Sequence, residues 1–228
     1  VFVPGLFWVG RALALRAGVD RNLAGNLAPG LGVAALLVPL HGLAYASGSL
    51  VLALPLVLGA VGLTGWFLWL SGREGGTTAV EPVATIEGSK WRWPLALLLT
   101  VLIAPTALGW AFHDELFFTG HMSITAELQN NVYPPRHLSF PQFELRSHYG
   151  FNLLCATATA LTRLDIDVAI DLITLSFWAY TANLLWLLGE RIFGSSKAGW
   201  LMTILVLLGG GLPFFSAPEG TPLAWSVL

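Results

Sequence analysis

The chain has 228 residues, of which 55% are hydrophobic and 11% charged, with a formal net charge of −2 and a mean hydropathy of +0.71. That balance lies far from a soluble globular domain, so the bilayer is the expected solvent. There is no Lys/Arg run, which argues against a nucleic-acid surface, and one cysteine, Cys155, excludes an internal disulfide and any multi-cysteine zinc pattern.

A hydrocarbon core about 30 Å thick requires roughly 20 mostly apolar residues in a helix. At the start, 1–9 reads as the tail of a hydrophobic segment that begins earlier, as expected of a fragment, and it shows no cleavable signal peptide. The apolar runs 27–46, 50–70, 94–112, 168–188 and 198–213 then predict five spans, a lower bound because the chain also ends in apolar residues. The runs are continuous rather than alternating in segments of about ten, so helices are expected and a β-barrel is not. His41 stands alone in the first of these runs beside Pro39, and reads as a packing histidine. The stretch 75–87 is polar and rich in small residues, a flexible linker within a cytoplasmic loop near 71–93.

Cytoplasmic loops retain basic residues. Arg11, Arg16 and Arg21 before the first run, and Arg73, Lys90 and Arg92 after the second, place both segments inside and the segment that begins at His113 outside. The stretch 149–164 is short for a span. Treating it as a half-buried helix also moves Arg191 and Lys197 inside and gives the stronger charge bias, with Asp165, Asp167 and Asp171 near the outer surface.

Polar chemistry is concentrated in 113–149, which holds four of the five histidines (His113, His121, His137, His148) beside Asp114, Glu115, Glu127, Glu144, Arg136 and Arg146. Asp114 and Glu115 follow the third run directly and suit a helix N-terminus electrostatically. The spacing of Leu116, Phe117, Gly120, Ile124 and Leu128 predicts an interfacial amphipathic helix over 114–129, with Asp114 and His121 on one face. One carboxylate there can accept a proton from an incoming hydroxyl; the plainer alternative is a cap and interfacial anchor. The double proline of Tyr133-Pro134-Pro135 predicts an extended turn, after which Arg136, His137, Arg146 and His148 can converge with Asp114. Arginine's planar fork suits a phosphate, although interfacial arginines also contact lipid headgroups.

A span, then His113-Asp114-Glu115, an amphipathic helix, the Tyr133-Pro134-Pro135 turn and a short apolar helix after His148-Tyr149-Gly150-Phe151 resembles the first extracytoplasmic loop of GT-C superfamily glycosyltransferases. These are integral-membrane enzymes that use polyprenyl-phosphate sugars, and the likeness is sharpest to their lipid A, protein mannosyl and other bacterial branches over about 94–213. The chain departs from the family in having at least two spans before the loop and Tyr133 where the turn more often begins with His. The resemblance implies a polyprenyl-phosphate sugar donor, a lipid or glycan acceptor, and a site facing outward from a bacterial inner membrane. It also implies Asp114 as catalytic base or its partner with Glu115 beside it, and His121, Tyr133, Arg136, His137, Arg146, His148 and Tyr149 as the substrate-binding set.

Two alternatives come from other classes. The loop histidines with Asp114 and Glu115 offer nitrogen and oxygen ligands to a divalent metal ion, but no pair has a His-x-x-x-His or His-Glu-x-x-His spacing, so no metal site is assigned. A transporter or non-catalytic membrane subunit predicts ionisable groups within spans; 50–70 and 94–111 contain none, and His41 is the best candidate. Gly209-Gly210-Gly211 lacks the context of a phosphate loop, and Trp91, Trp93 and Trp110 fit aromatic belts among membrane lipids. The expected architecture is an all-α polytopic membrane helix bundle: transmembrane helices in 1–112, an extracytoplasmic loop with juxtamembrane helices in 113–167, and further transmembrane helices in 168–228.

Overall fold

The computed structural model describes residues 2–74, 97, 101, 120–137, 139–145 and 149–209. Two compact units divide the chain, 1–83 with 104–174 and 84–103 with 175–228. The protein is mostly helical, and three helices are long and apolar enough to cross a membrane: Leu23–Ser47, Leu50–Ser71 and Ile166–Phe193. These match three of the five expected spans. The run 94–112 lies outside the described residues except for Leu97 and Val101, and the run 198–213 is described only to Gly209.

In the first unit, α1 (Phe2–Arg16) turns back through Ala17 to Asp20 into α2 (Arg21–Ser47). Asp20 caps α2, its Oδ1 accepting from the Leu23 N–H at 2.9 Å and so satisfying one of the amides a helix start leaves open. α2 continues through Pro29 and Pro39, which an isolated water-soluble helix tolerates poorly but a membrane helix accommodates. It ends at Gly48, whose φ of 65° is left-handed, and the next amide, Ser49, donates to the Ala44 carbonyl at 3.2 Å. A helical hairpin to α3 (Leu50–Glu74) results.

Backbones of α1, α2 and α3 meet through small residues. A Cβ at Gly10 would overlap the Ala28 carbonyl, one at Gly32 the Leu6 carbonyl, and one at Gly65 the Gly5 carbonyl. Between helices in lipid the hydrophobic drive is weak, because lipid is as apolar as leucine; close approach gains dispersion contacts instead. Large side chains on other faces, among them Val38, Leu52, Leu56, Leu63 and Phe67, are exposed, as suits helices surrounded by acyl chains.

The polar segment returns to the turn end of the α2–α3 hairpin. It contributes α4 (His121–Gln129), a two-stranded antiparallel ribbon of β1 (Arg136–His137) and β2 (Phe140–Glu144), and α5 (Gly150–Thr162). Asn131 fastens it there: its Oδ1 accepts from Ser49 Oγ at 2.9 Å and from the Val51 N–H at 3.1 Å. Ser49 Oγ in turn accepts from the Leu52 N–H at 3.3 Å, so the α3 start is capped by its own serine and by an asparagine 82 residues later. Leu128, Ile124, Tyr133, Tyr149 and Leu153 join Leu36, Leu40, Leu50 and Ala53 in one buried cluster.

Two expectations require correction here. The helix expected over 114–129 does not run unbroken: Gly120 takes φ 78°, a left-handed conformation open to a residue without Cβ, and the helix starts at His121. Asp114, which was expected to share a helix face with His121, lies outside the described residues. The all-α expectation also missed the ribbon, where Arg136 pairs with Glu144 and His137 with Phe140. By contrast, α5 falls where the short helix was expected; its 13 residues extend about 20 Å, less than a hydrocarbon core. Thr157, Thr159 and Thr162 turn their hydroxyls back onto carbonyls four residues earlier at 2.7 to 2.9 Å, which satisfies them within an apolar helix.

α6 (Ile166–Phe193) starts in the first unit, where Ile170 packs with Cys155, and continues into the second. In that second unit it lies against α7 (Ser196–Gly209). A Cβ at Gly199 would stand 2.6 Å from the Trp186 carbonyl, so this contact too is set by glycine. Thr203 Oγ1 donates to the Gly199 carbonyl at 2.9 Å, and the Trp186 and Trp200 rings lie 6.4 Å apart.

Replacing Gly32 by leucine is expected to separate α1 from α2, because the obstacle is backbone that cannot yield; a loss above about 2 kcal/mol should show as a lowered Tm in detergent. At Asn131, aspartate should cost least, glycine should lose the cap, and alanine should lose the cap while leaving a Cβ residue at φ 63°. Stability should fall in that order over about 1–3 kcal/mol, with faster exchange of the Val51 and Leu52 amides.

Candidate functional site

Three aromatic side chains from distant stretches of chain meet at the hairpin mouth. His41 lies six residues before the end of α2, about 9 Å along its axis. The turn after α4 brings in Tyr133, and Tyr149 forms the N-terminal boundary of α5. The ring centroids form a near-equilateral triangle: His41–Tyr133 5.9 Å, His41–Tyr149 5.6 Å and Tyr133–Tyr149 6.0 Å. Tyr45, one helical turn beyond His41, extends the group at 6.1 Å and is 58% exposed. Both loop tyrosines are buried while His41 is exposed, so the imidazole forms the accessible part of the triangle.

Tyr133 Oη lies 2.5 Å from His41 Nδ1, and Tyr149 Oη 3.5 Å from the same nitrogen. Burial, then the hydrogen bond with Tyr149, then that ring's charge all push the Tyr133 hydroxyl well above an ordinary tyrosine, so it keeps its proton. The contact between Tyr133 Oη and His41 Nδ1 is a hydrogen bond whose donor is set by the imidazole tautomer. Burial also raises Tyr149; the Tyr133 hydrogen bond opposes that shift, and Tyr45 and the Glu144 carboxylate add to it.

The ribbon and turn are held by backbone contacts around this group. The Arg136 N–H donates to Glu127 Oε2 at 2.7 Å, and the Leu145 N–H to the Pro135 carbonyl at 2.8 Å. Arg136 itself is exposed and stands opposite Glu144 in the ribbon, an oppositely charged pair.

Of the expected site residues, Tyr133 and Tyr149 come together. His121 has other partners: Asn152 Nδ2 donates to its carbonyl at 2.8 Å and to Thr125 Oγ1 at 3.2 Å, while Asn152 Oδ1 lies 3.3 Å from His121 Nδ1. Asn152 and Thr125 are buried, so this network clasps α4 to α5. His137 packs on Phe140 at 5.4 Å, with its Nδ1 buried and without a hydrogen-bond partner among the described residues. Asp114, Glu115, His113, Arg146 and His148 lie outside the described residues. Among the described residues no three His, Cys, Asp or Glu side chains gather as a metal site.

Sequence reading did not single out Asn131, Asn152 or Tyr45, and took His41 for packing. Its one available signal was a titratable ring, alone in an apolar run, one turn before a tyrosine. Burial pushes the Cys155 thiol up to about 12, in keeping with a small buried hydrophobe.

Protein-family profiles, curated proteins and solved structures were all compared with the chain, and none matches.

A raised folded-state tyrosine pKa stabilises the fold below the unfolded value near 10, and that stabilisation drains away as pH climbs from there through the folded value. Stability should therefore decline above pH about 10, and Tyr133→Phe should flatten that decline. Unfolding followed at stepped alkaline pH checks this; an equally steep decline in the phenylalanine variant would contradict it.

Proposed function

We propose that this integral membrane protein is a glycosyltransferase of the GT-C kind, moving a sugar from a polyprenyl-phosphate donor to a lipid or glycan acceptor at the extracytoplasmic face of a bacterial inner membrane. The observation that carries the reading is where the polar segment sits. Asn131 ties it to the turn end of the α2–α3 hairpin, whereas Arg21 and Arg73 lie at the opposite ends of those helices. Since basic residues favour the cytoplasm, this arrangement supports an outward-facing mouth at a span end. A lipid-linked sugar suits such a place, because the isoprenoid tail stays in hydrocarbon while the sugar phosphate reaches water.

In this reading Asp114, with Glu115 beside it, takes the proton from the acceptor hydroxyl. The acceptor oxygen bonds to the anomeric carbon as the carbon–oxygen bond to phosphate breaks. Polyprenyl phosphate leaves with the electron pair, its charge held by Arg136 and Arg146. No covalent enzyme intermediate is required. The remaining residues of the expected set, His121, Tyr133, His137, His148 and Tyr149, shape the pocket. A transporter or non-catalytic subunit has one observation in its favour: Asn183 and Glu190 are buried polar residues on the apolar helix α6.

Asp114→Asn in the full-length protein, at unchanged membrane level, should lower transfer of labelled sugar from polyprenyl-phosphate donors by at least roughly 100-fold. Transfer at the original rate would remove Asp114 from this role and turn attention to Glu115. No transfer by the unmutated protein over a panel of donor sugars would favour the transporter reading.

A further inference from the structure

The cluster at the hairpin mouth contains a residue that the proposed chemistry leaves unused. His41 Nδ1 is taken by the loop through Tyr133, which leaves Nε2 as the ring nitrogen open to a ligand, and the ring is exposed although its two tyrosine neighbours are buried. A polar nitrogen inside the last turns of an apolar helix meets acyl chains unless something offers it a hydrogen-bonding partner, and an unmade hydrogen bond there is costly. The groups around it specify that partner. They are neutral hydroxyls and aromatic faces: Tyr149, Tyr133 and the half-open ring of Tyr45. A phosphate finds its usual forked donor in arginine, and the triangle itself is built of an imidazole and two phenols. A sugar ring fits better, because its hydroxyls both donate and accept and so can pair with Nε2, and its C–H face lies against an aromatic ring.

We propose that His41, seated by Tyr133 and flanked by Tyr45 and Tyr149, forms a subsite for the neutral ring of a sugar, with Nε2 hydrogen-bonded to a ring hydroxyl. The proposal rests on the glycosyltransferase reading for its context. The sugar belongs to the donor or to the acceptor, which share this chemistry. His41 is a binding residue here and takes no part in proton transfer to the acceptor.

Two substitutions separate binding from seating. In His41→Asn the side-chain amide can still hydrogen-bond Tyr133 where Nδ1 did, but no polar atom remains at the Nε2 position; in His41→Gln an amide nitrogen reaches towards that position. The full-length protein in nanodiscs would be assayed with short-chain polyprenyl-phosphate hexoses and pentoses. The KM for donor and for acceptor would be read separately, with hydrogen exchange at 130–137 reporting loop seating. The asparagine variant is expected to raise one KM roughly 3- to 10-fold, the size of one neutral hydrogen bond, with kcat and loop exchange little changed and with partial recovery in the glutamine variant. A rise for the donor alone assigns the subsite to the donor sugar, and a rise for the acceptor alone to the acceptor. Unchanged KM for both with the loop seated overturns the proposal, as does loss of seating in both variants, which would make His41 purely structural. If the unmutated protein transfers no sugar, the enzyme reading fails by itself. Binding of the same polyprenyl-phosphate sugars, against polyprenyl phosphate without sugar, then decides the subsite. A sugar preference weakened by His41→Asn sustains it, and no preference overturns it.

Discussion

An amide side chain on the end of a helix governs where the polar part of this protein can be. The first amides of α3 need acceptors, and in an apolar setting an unmet amide costs several times more than at a wet surface. Ser49 supplies one acceptor and Asn131 the other, and Asn131 can do so because its own backbone tolerates the left-handed conformation found there. Once that residue is fixed, the chain on either side has little freedom. Leu128 is carried into the buried cluster, Tyr133 reaches His41, and the ribbon that follows is aligned by the Glu127 carboxylate.

The two kinds of packing in the first unit differ in their physics. α1, α2 and α3 meet by glycine against backbone, a contact of dispersion and shape. The polar segment attaches to one end of that layer by hydrogen bonds at Ser49, Val51 and His41, together with the buried cluster that Leu128 and Tyr133 share with Leu36 and Leu40. Weakening the second should leave the first standing.

What was legible in the residues follows the range of the forces involved. Unbroken apolar length is a local property, so α2, α3 and α6 could be read, and even Pro29 and Pro39 did not interrupt the first. The helix α1 was read only as a hydrophobic tail, because Arg11 and Arg16 truncate its apolar run. Gly120 was counted as a member of an apolar stripe, whereas its left-handed backbone stands just before the helix begins at His121. The ribbon escaped notice because Pro141 lies within β2 and argues against a strand except at an edge, which is where a two-stranded ribbon leaves every residue. Of the expected site, the pairing of Tyr133 with Tyr149 is seen, but its third member is not a loop residue. His41 is 92 residues from Tyr133 and 108 from Tyr149, and nothing in its neighbourhood announces either.

That separation has a meaning in time. A ribosome adding about 5–20 residues per second completes the α2–α3 hairpin several seconds before Asn131 exists, since Asn131 follows the end of α3 at Glu74 by 57 residues. Until then the cap that the hairpin itself carries is Ser49, on the Leu52 N–H, and the Val51 N–H is without the acceptor it has in the finished fold. The start of α3 is thus completed by a residue made long after it.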